Sequence, residues 1–361
     1  MKIAIITPRF ALAGVPLAQI RFAKAFARKG YDVDLIIGYV EKGYNFPSIE
    51  GVNVILLNKP RVITTVFFIY NYMRSHKPDI IFSAEDHLNA VLLFCAIIAR
   101  SKSKISVSSR VTPFDTYSNK PFTKRWILKY FINLVIHRAD AVTCVSEDMV
   151  SQYRKIFKKT RHQCVYNIIK DADSEIKMKE NVDDNWITEK RCPIVIGAGR
   201  LAPWKGFPDL IMAVKEVNKS VPVKLIILGG GPLRIELEDL INSEGLTGVV
   251  KLLGYQDNPL KFYSKADVFV LSSYVEGLPN VLVEAMMCGC TPVSTDCPTG
   301  PREVLQGGKY GYLVPMHDPM SMAEAIKKAL ENPIPIQTLM EAVKPFTDEE
   351  VIQKYKRILQ F

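Results

Sequence analysis

The sequence has little that points to a secreted, metal-binding or membrane-spanning protein. Its seven cysteines are an odd number at irregular spacings without a C-x-x-C pair, and its five histidines are scattered, so neither a disulfide framework nor a metal cluster is indicated. The longest uncharged apolar stretch, residues 90–99, is about half of the roughly 20 residues that a membrane-spanning helix needs. The apolar run 3–6 is too short for the core of a signal peptide. We therefore expect a cytoplasmic protein without a metal site.

Two common phosphate-binding motifs are also missing. The segment 229–234, GGGPLR, follows a predicted strand and opens a predicted helix, but a dinucleotide-binding fingerprint requires glycine where Arg234 stands. The segment 307–310, GGKY, lacks the Ser or Thr after lysine and the upstream glycine of a P-loop. The sequence therefore argues against a nicotinamide-dependent dehydrogenase and against a P-loop kinase.

What the sequence does contain is a regular alternation of strand-like and helix-like stretches. Runs rich in Ile and Val alternate with amphipathic stretches from one end to the other, which is typical of βαβ units and parallel sheets. Strands are predicted near 2–7, 31–38, 53–57, 79–82, 104–109, 141–145, 193–198, 223–229, 249–253, 267–271, 291–295 and 312–314. Helices are predicted near 16–29, 61–76, 87–100, 121–138, 147–157, 206–219, 232–244, 258–264, 279–288 and 319–331.

The alternation predicts an α/β protein with two doubly wound domains in tandem. A length of 361 residues with 48% hydrophobic residues is enough for two such cores. The N-terminal domain is assigned to residues 1–166 and the C-terminal domain to 191–345, with the charged stretch 167–190 as a linker. Residues 346–361 are assigned to a C-terminal helix that packs back on the N-terminal domain. Ligands of such sheets bind beyond the carboxyl ends of the strands, so the cleft between the domains is the expected site.

Net charge is +10 and is unevenly distributed. Residues 1–166 carry 25 Lys and Arg against 11 Asp and Glu, a net charge of +14, whereas residues 167–361 carry 22 against 26, a net charge of −4. The asymmetry indicates an anionic partner for the N-terminal half, either a membrane surface, a phosphorylated substrate or nucleic acid. A solvated basic face is the simpler alternative.

Two loops at the carboxyl ends of second-domain strands carry residues suited to a sugar nucleotide. In the first loop, Arg200 offers a forked donor and Lys205 a point charge beside a helix start, a combination that suits a diphosphate. In the second loop, Glu276 stands before a helix and Glu284 within its first turns, and carboxylates are the usual acceptors for ribose or sugar hydroxyls. The alternative for the first loop is a surface loop with two solvated cations, and either glutamate, taken alone, could equally be a helix-dipole or surface residue.

Together the motifs resemble those of the retaining glycosyltransferases of family four, which have the GT-B fold of two Rossmann-like domains facing each other across a cleft. The resemblance is carried by EGLPNVLVEAMMCG at 276–289, by GRLAPWKG at 199–206 and by LGGGP at 228–232. It covers nearly the whole chain and is most specific across 195–300. Among family members, the chain looks like the bacterial polysaccharide and lipid-linked glycan transferases.

The resemblance implies a role for each matching residue. Arg200 and Lys205 would bind the donor diphosphate, Glu276 would face the donor sugar, and Glu284 would hold the ribose. The remaining donor-site residues implied by the motifs are Gly14, Gly230, Tyr255, Gly277, Leu278, Pro279 and Asn280. No cofactor or divalent metal is expected, because Arg, Lys and helix N-termini neutralise the leaving diphosphate in this fold.

One position departs from the family pattern. Many members carry a histidine at the end of the strand that here reads 105–113, ISVSSRVTP, and this chain has Arg110 at about that place. We assign Arg110 to a donor or acceptor phosphate and include it among the catalytic residues with Glu276, Arg200 and Lys205. A structural role for Arg110, pairing with Asp115 or Asp140, is the alternative.

The resemblance implies transfer of a hexose or N-acetylhexosamine from a UDP-sugar to an acceptor hydroxyl with retention of configuration, by a front-face, oxocarbenium-like route. Two basic, aromatic stretches at helical spacing, 61–77 and 123–138, have the composition of interfacial helices, although either could be a core helix. With the basic N-terminal half, they favour a lipid-linked or cell-surface glycan acceptor and peripheral association with the inner face of the cytoplasmic membrane. The alternative function is a nucleotide-sugar epimerase on the same fold. No nucleic-acid-binding motif is present.

Overall fold

Buried runs of Ile and Val form the strands of two parallel sheets. The computed structural model describes residues 1–10, 14–41, 46 and 48–361, and it divides into two units. The first unit comprises Met1–Asp171 and Phe346–Phe361, and the second comprises Ala172–Pro345. The prediction of an α/β chain with two doubly wound domains is confirmed.

The first unit is a seven-stranded parallel sheet with helices. Its strands are β1 (Lys2–Thr7), β2 (Asp32–Ile37), β3 (Val52–Leu56), β4 (Ile80–Ala84), β5 (Lys104–Ser109), β6 (Ala141–Cys144) and β7 (His162–Cys164), in the order β3-β2-β1-β4-β5-β6-β7. Its helices before the second unit are α1 (Gly14–Arg28), α2 (Val66–His76), α3 (Asp86–Ile98), α4 (Pro113–Thr116), α5 (Lys124–Val135) and α6 (Glu147–Ile156). Short 3₁₀ turns at Val62–Thr65 and Ile136–Arg138 flank α2 and α5.

The second unit is a six-stranded parallel sheet. Its strands are β8 (Ile194–Ala198), β9 (Lys224–Leu228), β10 (Val250–Gly254), β11 (Val268–Leu271), β12 (Thr291–Thr295) and β13 (Tyr312–Val314), in the order β10-β9-β8-β11-β12-β13. Its helices are α7 (Ser174–Lys179), α8 (Asn185–Thr188), α9 (Phe207–Val217), α10 (Arg234–Ser243), α11 (Leu260–Tyr263), α12 (Asn280–Met287), α13 (Pro301–Val304), α14 (Pro319–Glu331) and α15 (Ile336–Val343).

The last helix of the chain, α16 (Asp348–Leu359), is part of the first unit. Thr347 caps its start by accepting a hydrogen bond from the backbone N–H of Glu350 at 3.4 Å. Tyr355, 4% exposed, packs its ring against Phe82 at a centroid distance of 5.0 Å. At the other end, Lys104 Nζ donates to the carbonyl oxygen of Leu359 at 2.6 Å, where a cation complements the helix dipole.

The segment predicted as a linker, 167–190, is not a separate connection. Residues up to Asp171 belong to the first unit, and the rest belongs to the second, where it forms α7 and α8. The Trp186 ring lies 4.3 Å from the ammonium of Lys251, which also pairs with Asp184 at 2.8 Å. These contacts of Lys251 help to hold a segment that has few apolar residues. Hydrophobic periodicity in the sequence therefore did not predict α7 and α8.

Both sheets reverse their strand order near the middle. The reversal falls between β1 and β4 in the first unit and between β8 and β11 in the second. At such a point the loops that leave neighbouring strands run to opposite sides of the sheet, which opens a crevice at the carboxyl ends of the strands. The side chains in these loops are therefore the ones placed to meet a ligand.

Two further findings concern the whole described chain. None of its helices combines the length and the apolarity that crossing a bilayer requires. All seven cysteines are free thiols.

Candidate functional site

The loop after β8 presents two cations at the reversal point of the second sheet. Arg200 follows the strand directly and is exposed, and it has no hydrogen bond or ion pair within the described ranges. Lys205 ends a 3₁₀ turn, Pro203–Lys205, and Gly206 then opens α9. The turn therefore sets both cations beside a helix N-terminus, as the sequence predicted for a diphosphate site.

The loop after β11 brings a carboxylate to the same point. β8 and β11 are paired neighbours although two strands separate them in the sequence. Lys205 Nζ lies 2.5 Å from Glu276 Oε1, and the Glu276 side chain is only 10% exposed. The backbone N–H of Tyr274 donates to the Trp204 carbonyl at 2.8 Å, which ties the two loops together. The fold thus joins two predicted site residues in one ion pair.

The second predicted carboxylate lies one helix further on. Glu284 is on α12 and is 6% exposed. The helix begins at Asn280, and Pro279 occupies its N-cap position without a side-chain cap. The preceding Gly277 and Leu278 are largely buried. The predicted residues from Gly277 to Glu284 therefore form one continuous turn and helix start beside the Lys205–Glu276 pair.

Glycines allow the neighbouring strand ends to approach closely. Gly229, after β9, has φ +137°, and a Cβ built on it would lie 1.9 Å from the carbonyl oxygen of Gly199. Its own N–H donates to the Gly254 carbonyl at 2.7 Å. By contrast, a Cβ on Gly230 would meet nothing within 4 Å. Tyr255 follows β10 and is 44% exposed, so the predicted positions Gly230 and Tyr255 both face open space or solvent.

Sequence reasoning did not predict the residues that support the loop after β11, which are Tyr274, Asp209 and His317. The Tyr274 hydroxyl donates to Asp209 at 2.7 Å, and its ring packs at a tilt against His317 with a centroid distance of 3.8 Å. Burial raises the pKa of Tyr274 above its ordinary value. These contacts brace the loop that carries Glu276. The aromatic residue two positions before Glu276 was the only local signal in the sequence.

The first unit holds the two remaining predicted residues. Gly14 is the first residue of α1 and is exposed, so it opens the helix rather than lying in the loop; residues 11–13 lie outside the described ranges. Arg110 follows β5, and its guanidinium donates to Asn167 Oδ1. Burial lowers the pKa of Arg110 from its ordinary value.

The structural alternative for Arg110, pairing with Asp115 or Asp140, is wrong, because both aspartates have other partners. Asp115 accepts a hydrogen bond from Thr112 at 3.0 Å, and Asp140 pairs with Arg138 at 3.1 Å. Asp115 is close to Arg110 in sequence and Asp140 directly precedes β6, but each is engaged with a residue of its own turn. The partner that the fold supplies is Asn167, 57 residues away.

The two basic, aromatic helices have both a core face and an exposed face. On α5, Ile132 and Val135 are buried, while Ile127, Tyr130 and Leu134 are 54%, 58% and 69% exposed. On α2, Ile69, Tyr72 and Met73 are buried, while Phe67 is exposed. The alternatives stated from the sequence, core helix or interfacial helix, are therefore not exclusive for α5, which packs by one face and leaves a second apolar face in solvent, whereas α2 leaves only Phe67 of its described apolar residues exposed.

No group of three or more His, Cys, Asp or Glu side chains comes close enough to hold a metal ion within the described ranges. The charges available at the loops after β8 and β11 are those of Arg200, Lys205 and the two glutamates.

The comparisons with known proteins now identify the class. Residues 178–344 match the family model described as glycosyl transferases group 1, and residues 14–172 match the one described as glycosyltransferase family 4. The boundary between the matches falls where the two units divide. The chain belongs to the family-four glycosyltransferases, and the predicted resemblance is confirmed.

Individual relatives are also glycosyltransferases. An uncharacterized glycosyltransferase of Methanocaldococcus jannaschii is 29% identical over 83% of this chain and 79% of the relative. The N-acetylgalactosamine-N,N'-diacetylbacillosaminyl-diphospho-undecaprenol 4-alpha-N-acetylgalactosaminyltransferase of Campylobacter jejuni is 31% identical over 66% of this chain and 64% of that protein. The lipopolysaccharide core biosynthesis glycosyltransferase LpsD of Rhizobium meliloti is 29% identical over 57% and 56%. These matches do not favour the epimerase alternative.

Solved structures show the same fold. Anabaena HepE in complex with UDP superposes with a TM-score of 0.75 at 20% identity, covering all of both chains. Sucrose-phosphate synthase from Thermosynechococcus elongatus superposes with a TM-score of 0.75 at 19% identity, covering 99% of this chain and 98% of that one. The fold is therefore GT-B, as predicted.

The close approach at Gly229 gives a test of the strand-end packing. Gly229→Ala would press its Cβ against the Gly199 carbonyl, so we expect a loss of about 1–3 kcal/mol in the free energy of unfolding. Gly230→Ala is the matched control and should unfold like the wild type, because its Cβ has free space. Urea titration measures both. Equal stability of the two variants would contradict the packing described for this edge.

Proposed function

We propose that this chain is a retaining, metal-independent glycosyltransferase that moves a hexose or N-acetylhexosamine from a UDP-sugar to a hydroxyl of a lipid-linked or cell-surface glycan. The observation that carries the proposal is the Lys205–Glu276 pair at the reversal point of the second sheet, with Arg200 and Glu284 on the flanking elements. This set offers cations for a diphosphate and carboxylates for hydroxyls on adjacent strand ends. The UDP bound by the Anabaena neighbour supports UDP as the nucleotide.

Donor binding divides among the residues of the two loops. Arg200 and Lys205 would neutralise the diphosphate, and the N-terminus of α12 would add backbone N–H donors to it. Glu276 would accept hydroxyls of the donor sugar and Glu284 those of the ribose. The strand end at Tyr255 would meet the base. Because Glu284 is buried on a helix, it can hold the ribose in one orientation.

The proposed reaction needs no protein nucleophile. The bond between the anomeric carbon and the leaving phosphate breaks first to give an oxocarbenium-like centre. The acceptor hydroxyl attacks from the same face and passes its proton to a leaving phosphate oxygen, so configuration is retained. The protein contributes positioning and charge stabilisation, since Arg200 and Lys205 offset the charge that builds on the diphosphate.

The first unit supports the proposed acceptor class. Its net charge is strongly positive, and α5 presents exposed apolar residues next to Lys124 and Arg125. Apolar side chains bordered by cations suit the surface of an anionic bilayer. The undecaprenol-linked and lipopolysaccharide substrates named for the bacterial relatives are of the same class. We therefore propose a cytoplasmic enzyme that associates peripherally with the membrane that holds its acceptor.

The donor site is tested by truncating its charged residues. Glu284→Ala should weaken UDP binding, and Arg200→Ala and Lys205→Ala should each lower turnover, because a hydrogen bond to a charged group is worth about 1.5–3 kcal/mol, or roughly ten- to a hundredfold. Calorimetry with UDP and steady-state transfer from UDP-sugars measure the two effects. Lys219→Ala, on an exposed lysine of the same unit, is the control and should change neither. Near-normal turnover and UDP affinity in all three site variants would refute the assignment.

Metal independence has a direct test. Turnover should be the same in EDTA and in added magnesium or manganese, because basic side chains rather than a metal stabilise the leaving diphosphate. A loss of turnover in EDTA that either metal restores would show that the diphosphate requires an ion.

Membrane association should depend on both charge and apolar contact. Reversing Lys124, Arg125 and Lys129 to Glu should remove at least about 3 kcal/mol of attraction to an anionic bilayer and abolish co-sedimentation with phosphatidylglycerol vesicles. The wild type itself should bind poorly to neutral phosphatidylcholine vesicles. Binding by the wild type should fall as salt is raised from about 0.1 M toward 1 M.

A second variant separates docking from folding, because Lys129 also donates to Asn119 at 2.7 Å and its reversal alters a local contact. Ile127→Gln with Leu134→Gln leaves the cations intact and should still weaken sedimentation. Ile235→Gln, on an exposed residue of α10 in the other unit, is its control and should sediment like the wild type. A wild type that never sediments with anionic vesicles would leave a phosphorylated soluble acceptor as the partner of the basic half.

A further inference from the structure

Glu85 stands at the reversal point of the first sheet. It is the first residue after β4, the strand that lies beside β1 where the strand order changes direction. A ligand of this unit is expected to meet the loops at this edge. The donor site described above uses the corresponding position of the other sheet, and no role has yet been given to this one.

The backbone of Glu85 is held in a conformation that L-residues rarely adopt. Its φ is +78° and its ψ is +127°, outside the regions open to a side chain without strain. Two hydrogen bonds fix this geometry, from the Glu85 N–H to the Ser108 carbonyl at 3.1 Å and from the Asn89 N–H to the Glu85 carbonyl at 3.0 Å. Glycine would occupy the position without strain, so a glutamate there indicates a use for its side chain.

The next residue anchors the turn. Asp86 is 6% exposed and begins α3. Its carboxylate accepts three hydroxyl hydrogen bonds, from Ser109 at 2.8 Å, Tyr117 at 2.8 Å and Tyr153 at 3.0 Å. Because Asp86 is buried and accepts three hydroxyl hydrogen bonds, it anchors the turn that carries Glu85 to the scaffold.

The Glu85 carboxylate itself has no hydrogen bond and no ion pair within the described ranges. It is partly buried, and burial raises its pKa above the ordinary value, while the charges of Arg9 and Arg110 act in the opposite direction. Arg9 pairs with Glu41 at 3.2 Å, and Arg110 donates to Asn167. Both cations are therefore near enough to favour the carboxylate form of Glu85, although each makes its own contact with another residue.

We propose that Glu85 binds the acceptor glycan, its carboxylate accepting a hydrogen bond from a hydroxyl of the acceptor sugar. A carboxylate is an acceptor only, and a sugar hydroxyl is the donor that matches it. The inference rests on the proposed glycosyl transfer and specifies its acceptor side. It places acceptor recognition at the carboxyl end of β4, whereas the proposed donor residues belong to the second unit.

The experiment measures acceptor use and donor binding separately in the full chain. The donors are UDP-glucose, UDP-galactose, UDP-N-acetylglucosamine and UDP-N-acetylgalactosamine, and the acceptor probes are the four corresponding octyl glycosides. Glu85→Gln should raise the KM for the glycoside roughly tenfold or more and leave the calorimetric Kd for UDP within about twofold of the wild-type value. Glu50→Gln, on an exposed glutamate just before β3 and therefore at the opposite edge of the same sheet, is the matched control and should change neither.

Thermal unfolding tests the strain independently of substrate. Glu85→Gly and Glu85→Ala both remove the carboxylate, but only glycine relieves the positive φ. Glu85→Gly should therefore have the higher Tm of the two, and both should use the glycosides as poorly as Glu85→Gln does. A Tm for Glu85→Gly at or below that of Glu85→Ala would remove the strain argument and count against the inference.

The outcomes distinguish this inference from the proposed function. A wild-type KM for the glycoside in Glu85→Gln overturns the inference, and so does a fall in UDP affinity that accompanies the change in KM. A wild-type enzyme that binds UDP but uses none of the glycosides also overturns the inference while the donor site stands. A wild-type enzyme that does not bind UDP overturns the proposed function, and the inference with it.

Discussion

The pairing of β8 with β11 is the constraint on which the proposed donor site depends. Parallel strands need crossover connections, and the right-handed crossovers of a doubly wound sheet return β11 to the side of β8 that β9 left open. Lys205 and Glu276, 71 residues apart in the chain, are thereby set 2.5 Å from each other. The glycines at the neighbouring strand ends let the backbones close around this pair. Without that strand order, the charged loops would be separate surface features.

The first unit repeats the constraint with different residues. Its sheet also reverses beside its first strand, but there Arg9 pairs with Glu41, Arg110 donates to Asn167, and Glu85 makes no ion pair within the described ranges. A strained backbone and a fully bonded Asp86 hold Glu85 in place. The last helix closes the same unit through Tyr355. The two sheets therefore share a topology, and what differs is which groups their carboxyl edges present.

The exposed apolar face of α5 is the feature of the fold that supports the proposed membrane association. A surface helix in a soluble protein ordinarily buries one apolar stripe and leaves a polar one in water. This helix carries two apolar stripes, and the outer one lies in the half of the chain that bears a net charge of +14. The composition alone could not distinguish a core helix from an interfacial one. The burial of Ile132 and Val135 shows which side faces the core.

The sequence by itself determined the fold class, the strand positions and the donor motifs, because Ile and Val runs, helical periodicity and the E-x₇-E spacing are local properties of the chain. Tertiary structure decided what depends on distant partners. It joined Asp184 and Trp186 of the expected linker to Lys251, and it paired Arg110 with Asn167 rather than with a nearby aspartate. It also set the strained turn at Glu85. Periodicity records whether a residue is buried, whereas its partner is chosen by the strand order of the sheet.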